Sequence, residues 1–190
     1  MSNCTTINSL IPGCASTITL PISQGATGAT GATGANGVGL LYNSFTRTGS
    51  DDNTNPKTYN SKTLDAGELA STGDAIEIEG MFTVTSGVAG KFYLTLDSTE
   101  ICVYNFTTPI LGDVQFILKA LISRTGASAQ KIEASYTVCG YPDQKRTIDI
   151  TTGAEDLSSA LTVGLKAQKS TSVSANDIYS EYLRIKKYEI

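Results

Sequence analysis

The sequence predicts an all-β protein. Its C-terminal part is expected to form an antiparallel, jelly-roll-like sandwich, preceded by a short collagen-like triple-helical stalk and an extended N-terminal arm. Apolar and polar residues alternate over many short segments, and Gly, Asp and Ser turns separate those segments at roughly ten-residue spacing, which predicts the sandwich. Glycine occupies every third position from Gly25 to Gly37, which predicts the stalk. No segment shows the pattern of a long amphipathic helix.

Nine segments after the glycine run carry the alternation of a half-buried strand. In one of them Val114, Phe116 and Leu118 fall on the same face. Residues 153–161 instead predict a single helical turn. Several short strands at this spacing indicate a sandwich or barrel. The nine predicted strands are residues 39–45, 76–82, 91–96, 100–106, 114–122, 131–138, 146–152, 161–168 and 181–190.

The distribution of charge divides the chain into an N-terminal arm (residues 1–24), a Gly-X-Y stalk (25–39) and a β-sandwich head (40–190). The first charged side chain is Arg47, so the arm and the stalk carry no charge. A solvated disordered tail is normally rich in charge. The neutral arm therefore favours packing against other protein, and a flexible linker is the alternative.

The overall composition excludes several functions. The net charge of −4 does not attract a phosphate backbone, so nucleic acid is not an expected partner. The chain has no histidine, and so lacks the usual general base and the commonest metal ligand. We expect no enzymatic activity and no cofactor. No basic and apolar leader and no run of about 20 apolar residues is present, so we expect neither a signal peptide nor membrane insertion.

The glycine run predicts a homotrimer. In a collagen triple helix every third residue faces a crowded axis where only glycine fits. The run has alanine and threonine between its glycines but no proline, and at about 3.1 Å per residue it would span only about 35–40 Å. Such a short helix needs neighbouring parts of the trimer to hold it, and an unwound linker or chance repetition are the alternatives. The stalk glycines are Gly25, Gly28, Gly31, Gly34 and Gly37.

The N-terminal arm is the expected docking segment. It combines a complete lack of charge with several aliphatic side chains, and part of it alternates like a short strand. These properties suit insertion between the subunits of a larger particle. The candidate anchoring residues are Ile7, Leu10, Ile11, Ile18, Leu20 and Ile22.

Two acidic patterns have the residue types found in catalytic or metal sites. Glu77 and Glu79 lie two apart on one strand face, as a glycosidase carboxylate pair could, but a solvated strand face is the simpler interpretation. Asp51, Asn53 and Asn55 imitate the start of a calcium loop. The loop has proline where the calcium motif needs glycine and lysine where it needs glutamate, so we expect a polar loop without metal.

The four cysteines lack the spacing of a zinc site. Cys102 and Cys139 fall in or beside predicted strands and are interpreted as small buried hydrophobic residues. Cys4 and Cys14 lie in the arm, where they could cross-link the chains of a trimer in an oxidising medium.

Three tyrosines, Tyr104, Tyr136 and Tyr141, could stack on the sugar rings of a glycan. Ordinary tyrosines of a sandwich are the simpler interpretation for each of them. No binding residue is therefore assigned to the head.

Three stretches of the head resemble the C-terminal domains of bacteriophage virion fibres, on the phage head or tail. "TLDAGELASTGDAIEIEGMFTV" (63–84) resembles their opening strand and turn, "ISRTGASAQKIEASYTV" (122–138) their Arg-Thr-Gly-Ala hairpin, and "SANDIYSEYLRIKKYEI" (174–190) their final strand. The resemblance implies a homotrimeric structural protein on the virion surface, assembled in the host cytoplasm. It implies that residues 1–24 dock on capsid or tail proteins and that the trimeric head faces the host.

Two alternatives share this architecture. Collagen-like proteins of bacterial spore surfaces also join Gly-Ala-Thr triplets to a trimeric jelly roll, usually with much longer repeats. The head could also act as a receptor-binding module that grips a host-surface glycan. The short repeat and the Arg-Thr-Gly-Ala stretch favour the phage fibre.

Overall fold

The computed structural model describes residues 38–188, except residues 52, 86, 107–112, 127–128, 140–143, 154, 157–158 and 171–173. The described chain folds into eleven β-strands. In order they are β1 (Val38–Ser44), β2 (Thr48–Gly49), β3 (Lys57–Leu64), β4 (Ala75–Val84), β5 (Gly90–Leu96), β6 (Thr99–Phe106), β7 (Val114–Gly126), β8 (Ala129–Cys139), β9 (Gln144–Gly153), β10 (Leu161–Lys169) and β11 (Ile178–Tyr188).

The strands form two antiparallel sheets. The larger sheet has the order β1-β11-β4-β7-β8-β9, and β2 pairs with β11 beside β1. The smaller sheet has the order β3-β10-β5-β6. Most connections cross from one sheet to the other, as in jelly-roll sandwiches. The predicted all-β sandwich is therefore confirmed, and the strand order, which the sequence did not reveal, is now assigned.

The core between the sheets is aromatic at its centre. Phe92 of the smaller sheet stacks on Phe106 at 4.6 Å and on Phe82 of the larger sheet at 4.8 Å between ring centroids. Its ring also lies 4.8 Å from that of Phe116. Four of the five phenylalanines thus occupy one cluster that joins both sheets. The fifth, Phe45, lies outside this cluster and is 51% exposed.

Two hairpins follow the turn signals in the sequence. β5 and β6 are joined by Asp97 and Ser98, and Asp97 adopts a positive φ of 48°, which Asp tolerates better than most residues. The predicted Arg-Thr-Gly-Ala hairpin is present as the antiparallel pair β7–β8, which closes at Gly126 and Ala129.

The structure contains two strands that the sequence did not predict. The sequence did not predict β2, which has only two residues, or β3, in which only Tyr59 and Leu64 are buried. β3 is an edge strand rich in Lys, Asn and Ser, and such residues hide the alternation. The single helical turn predicted for residues 153–161 lies partly outside the described residues, and within the described part the Ser159 amide donates to the Asp156 carbonyl three residues earlier.

One close approach fixes the distance between the sheets. Gly80 of β4 faces Leu165 of β10, and a β-carbon at Gly80 would lie 2.5 Å from Leu165 Cδ1. A methyl group does not fit there without displacing the leucine, which is fully buried. The sheets therefore pack closely at this point because residue 80 has no side chain.

No helix among the described residues is long and apolar enough to cross a membrane.

Candidate functional site

The stalk and arm residues predicted to carry function lie outside the described residues. This applies to all five stalk glycines, to the six aliphatic anchor residues and to Cys4 and Cys14. Tyr141 also lies outside them. The predictions for these residues stand as predictions, and the structure contributes the surface that follows the glycine run.

That surface begins with an exposed apolar patch, here called the β1 patch and formed by Val38, Leu40 and Phe45. Their exposed fractions are 64%, 60% and 51%, and they are the exposed large hydrophobic residues of the described chain. All three fall within the first eight described residues. Single exposed apolar residues are ordinary on a protein surface, but Val38 and Leu40 lie two residues apart on one face of β1, and Phe45 follows against Tyr182 with ring centroids 6.1 Å apart.

The strand geometry of β1 explains why this patch faces solvent. β1 is at the edge of the larger sheet and pairs with β11 on one side only in the described chain. A register shift between Leu40 and Tyr42 turns Leu41 and Tyr42 toward the core. The Tyr42 hydroxyl then donates to Asn60 Oδ1 of β3 at 3.1 Å and ties the two sheet edges together. Val38 and Leu40 remain on the outer face of the larger sheet, the face turned away from the core.

A buried ionic cluster occupies the same outer face next to the β1 patch. Glu79 of β4 is only 8% exposed, and three neighbours hold its carboxylate. The Tyr182 hydroxyl donates to Oε1 at 2.6 Å and Arg184 Nη2 donates to the same oxygen at 2.7 Å. Lys119 of β7 forms an ion pair with Oε2. The register of β11, β4 and β7 places Arg184 and Lys119 directly opposite Glu79 on either side.

The cluster keeps Glu79 ionised. Burial by itself raises the pKa of Glu79, but the hydrogen bonds from Lys119 and Tyr182 and the charges of Lys119 and Arg184 lower it, and the net result is a pKa below the ordinary value. Burial and the adjacent carboxylate of Glu79 raise the pKa of Tyr182. Both residues therefore keep one protonation state near neutral pH, which suits a structural role.

The predicted solvated face is therefore wrong for Glu79. Glu77 does lie on the same face, half-buried, and its Oε1 accepts from Lys186 Nζ at 3.2 Å. Glu79 differs because cations from both neighbouring strands converge on it. The sequence contained these cations, but it did not reveal the strand order that brings them to one carboxylate.

The loop predicted to imitate a calcium site uses lysines instead. Asp51 Oδ1 accepts from Lys57 Nζ at 2.6 Å, and Asn53 Oδ1 accepts from the amide of Asn55 at 2.9 Å. The ammonium of Lys169, which is buried, donates to the carbonyls of Asp51 and, at 2.9 Å, Ser174. The polar-loop interpretation fits these contacts, and the described residues contain no metal-binding group of His, Cys, Asp or Glu.

A shallow cleft of about 610 Å³ opens beside this loop, at the end of the smaller sheet. Its walls include the polar side chains of Lys91, Asn105 and Gln168 and the edge of Phe106. The cleft is open to solvent and its lining is mainly apolar, so these side chains supply its polar groups.

The tyrosines and cysteines of the head are mostly structural. Tyr136 is buried, and Tyr104 is half-buried against it with ring centroids 4.3 Å apart, so both are tyrosines of the sandwich. Cys102 is a buried free thiol whose pKa burial raises to about 11, which makes it unreactive. Cys139 is also buried, as its position beside a strand predicted.

No protein-family model matches the chain, and no curated protein matches it. The comparison with solved structures finds only weak similarities. A protein of unknown function from Shewanella oneidensis has a TM-score of 0.40 and 11% identity over 80% of this chain and 75% of its own. The metal-free lectin I-B4 of Griffonia simplicifolia has a TM-score of 0.37 and 12% identity, covering 80% and 93%.

The CBM2 module of the Dit protein of Lactobacillus casei phage J-1 has a TM-score of 0.30 and 8% identity, covering 68% of this chain and 69% of its own. Similarities with TM-scores this low carry no conclusion about this chain's fold family. They assign no ligand and no activity to this chain.

Proposed function

We propose that this chain is a non-enzymatic structural protein of a phage particle. In this proposal it is a homotrimeric fibre that docks on the capsid or tail by residues 1–24. Its glycine run is wound as a stalk, and its β-sandwich head is displayed on the virion surface. The observation that carries the proposal is the β1 patch, because the exposed large apolar residues of the described chain directly follow the glycine run.

The position of the patch supports a trimer more than a flexible linker. A linker joining an independent head to another part of a protein needs no apolar surface at its exit. Three chains that leave a triple helix together must pack against one another at that exit, and apolar side chains supply the contact. The neutral arm supports docking on a particle for the same reason, since it has no charge to keep it in solvent.

The docking role is tested by replacing residues 1–24 with a Gly/Ser segment of equal length in the particle's own coding sequence. We expect the altered chain to remain soluble and trimeric but to be missing from purified particles. The unaltered chain, purified in parallel, should be present. Incorporation of the altered chain at the normal level would contradict the docking role.

A second candidate function is glycan binding by the head, which the cleft favours. Asn105 and Gln168 offer two amides, which hydrogen-bond well to sugar hydroxyls, while the nearby Lys91 ammonium is paired with Glu100 at 2.6 Å. The full-length chain would be applied to an array of bacterial surface glycans, together with the variant Gln168→Ala. Binding that the variant loses would support attachment through the cleft, and absence of binding by the unaltered chain would remove this candidate.

A further inference from the structure

We infer that the β1 patch is the interface between copies of this chain around a threefold axis, and that each copy contributes Val38 and Leu40 to the contact. The inference rests on the proposed trimeric fibre and identifies which surface of the head closes it. The partner is a second and third copy of the same chain.

Chain connectivity locates the interface. In a wound stalk Gly37 of every copy would lie at the common axis. Val38 is the next residue, and consecutive Cα atoms are about 3.8 Å apart, so Leu40 lies within about 11 Å of Gly37 along the chain. The first residues of β1 in all three copies must therefore come together at the axis.

The surroundings of the patch fit a self-contact better than other surfaces of the larger sheet. Across β11 and β4 the outer face changes from apolar to ionic, with Lys186 paired to Glu77 and the Glu79 cluster beside it. The patch is thus an apolar strip beside charged groups, the usual composition of an interface core and rim. The interface is expected to end at this ionic boundary.

The edge position of β1 also requires protection. An exposed edge strand offers unpaired backbone groups to other chains, and natural proteins usually protect it with lysine, proline or a covering element. The segment Val38–Ser44 contains neither charge nor proline. Its exposed apolar side chains therefore make an uncovered β1 prone to association, and threefold contact covers it.

The test compares two full-length variants that each add one carboxylate to an exposed edge-strand position. Leu40→Glu places the charge in the β1 patch. Ser61→Glu, the matched control, places it on β3, an edge strand of the smaller sheet. Native mass spectrometry over a dilution series reports the proportion of trimer, at three times the chain mass of 20.0 kDa, and of monomer.

We expect Leu40→Glu to raise the concentration at which the trimer half-dissociates by more than about tenfold, and Ser61→Glu to change it by less than about twofold. Equal trimer stability in both variants would overturn the assignment of the interface to the β1 patch, but it would not contradict the proposed trimeric fibre. An unaltered chain that is monomeric at every concentration would remove both.

A second measurement guards against a variant that fails to fold. Hydrogen exchange of the unaltered full-length chain is followed while the protein is diluted. We expect the β1 amides to lose protection as the trimer dissociates, while amides of β7 keep theirs. Unchanged protection of β1 during dissociation would overturn the inference independently of any substitution.

Discussion

At the scale of the residue, Glu79 shows how a charge becomes part of a β-sandwich without entering its core. It lies on the outer face, yet Tyr182, Arg184 and Lys119 cover both carboxylate oxygens. Removing one member of a buried ion cluster leaves the others without compensation, and this loss costs more than the cluster contributes as a whole. The cluster is therefore expected to be sensitive to substitution and to pH.

We predict that Glu79→Gln lowers the free energy of unfolding by about 1–3 kcal/mol at neutral pH, because the cations lose a charged acceptor. The folded-state pKa of Glu79 is below that of the unfolded chain, about 4.3 for a glutamate. Its contribution is therefore present above that pH and is lost as the pH falls through the folded-state pKa. Urea unfolding at pH 7 and at acidic pH measures the change.

Glu77→Gln is the matched control, since Glu77 lies on the same strand face as Glu79. Its carboxylate is more exposed than that of Glu79 and has a single ion-pair partner, Lys186, at 3.2 Å. It should cost no more than about 1 kcal/mol. Equal effects of the two substitutions, or an effect of Glu79→Gln that persists undiminished at acidic pH, would refute the assigned role of the cluster.

At the scale of the element, the contact between β4 and β10 shows how one missing side chain fixes the spacing of two sheets. A β-carbon on Gly80 would collide with Leu165, and also approach its Cδ2 at 3.2 Å. Protein interiors are packed at crystal-like density, so the leucine has little room to move aside. The same strand β4 carries the Glu79 cluster on its other face, so this packing also sets the position of the cluster.

We predict that Gly80→Ala destabilises the head by about 1–3 kcal/mol through overpacking, a fall of about 2–4 °C in Tm for each kcal/mol. Adding Leu165→Val should recover part of the loss because valine lacks the Cδ1 and Cδ2 atoms that the new β-carbon would meet. Gly126→Ala is the control, since a β-carbon there would meet only Ala129 Cβ at 3.4 Å. Strictly additive effects of the two core substitutions in thermal unfolding would contradict the proposed contact.

At the scale of the whole molecule, the proposed trimer requires the arm, the stalk and the β1 patch to support one another. Four triplets without proline form too few interchain contacts to offset the entropy of ordering three chains. The stalk therefore depends on the head that follows it, and the head gains a common axis from the stalk. A substitution at the axis should affect the stalk without altering the sandwich.

We predict that Gly31→Ala lowers the melting temperature of the stalk and leaves that of the head unchanged, because a β-carbon at the axis disrupts the winding locally. Circular dichroism of the full-length chain during heating separates the two transitions. Thr30→Ala, which changes a neighbouring position that faces away from the axis, should leave both unchanged. Identical stalk melting in the two variants would indicate that the glycine run is an unwound linker.

Strand alternation was sufficient to predict nine of the eleven strands, because half-buried strands must place apolar residues at every second position. It was insufficient for β3, because most side chains of this edge strand are polar and do not pack into the core. It also gave no account of Lys169, whose buried ammonium donates to the carbonyl of Asp51, 118 residues away along the chain. These contacts depend on which strands become neighbours.

The sequence by itself determined the all-β class, the turns and the place where the glycine run meets the head, since these follow from local periodicity and local backbone preference. Only the tertiary structure decided the strand order, the burial of Glu79 and the exposure of Val38 and Leu40. The physical reason is that the burial of a side chain depends on which other residues pack against it in the folded chain. Tyr182 lies 103 residues from Glu79 in the chain, and only the pairing of β11 with β4 brings its hydroxyl to that carboxylate.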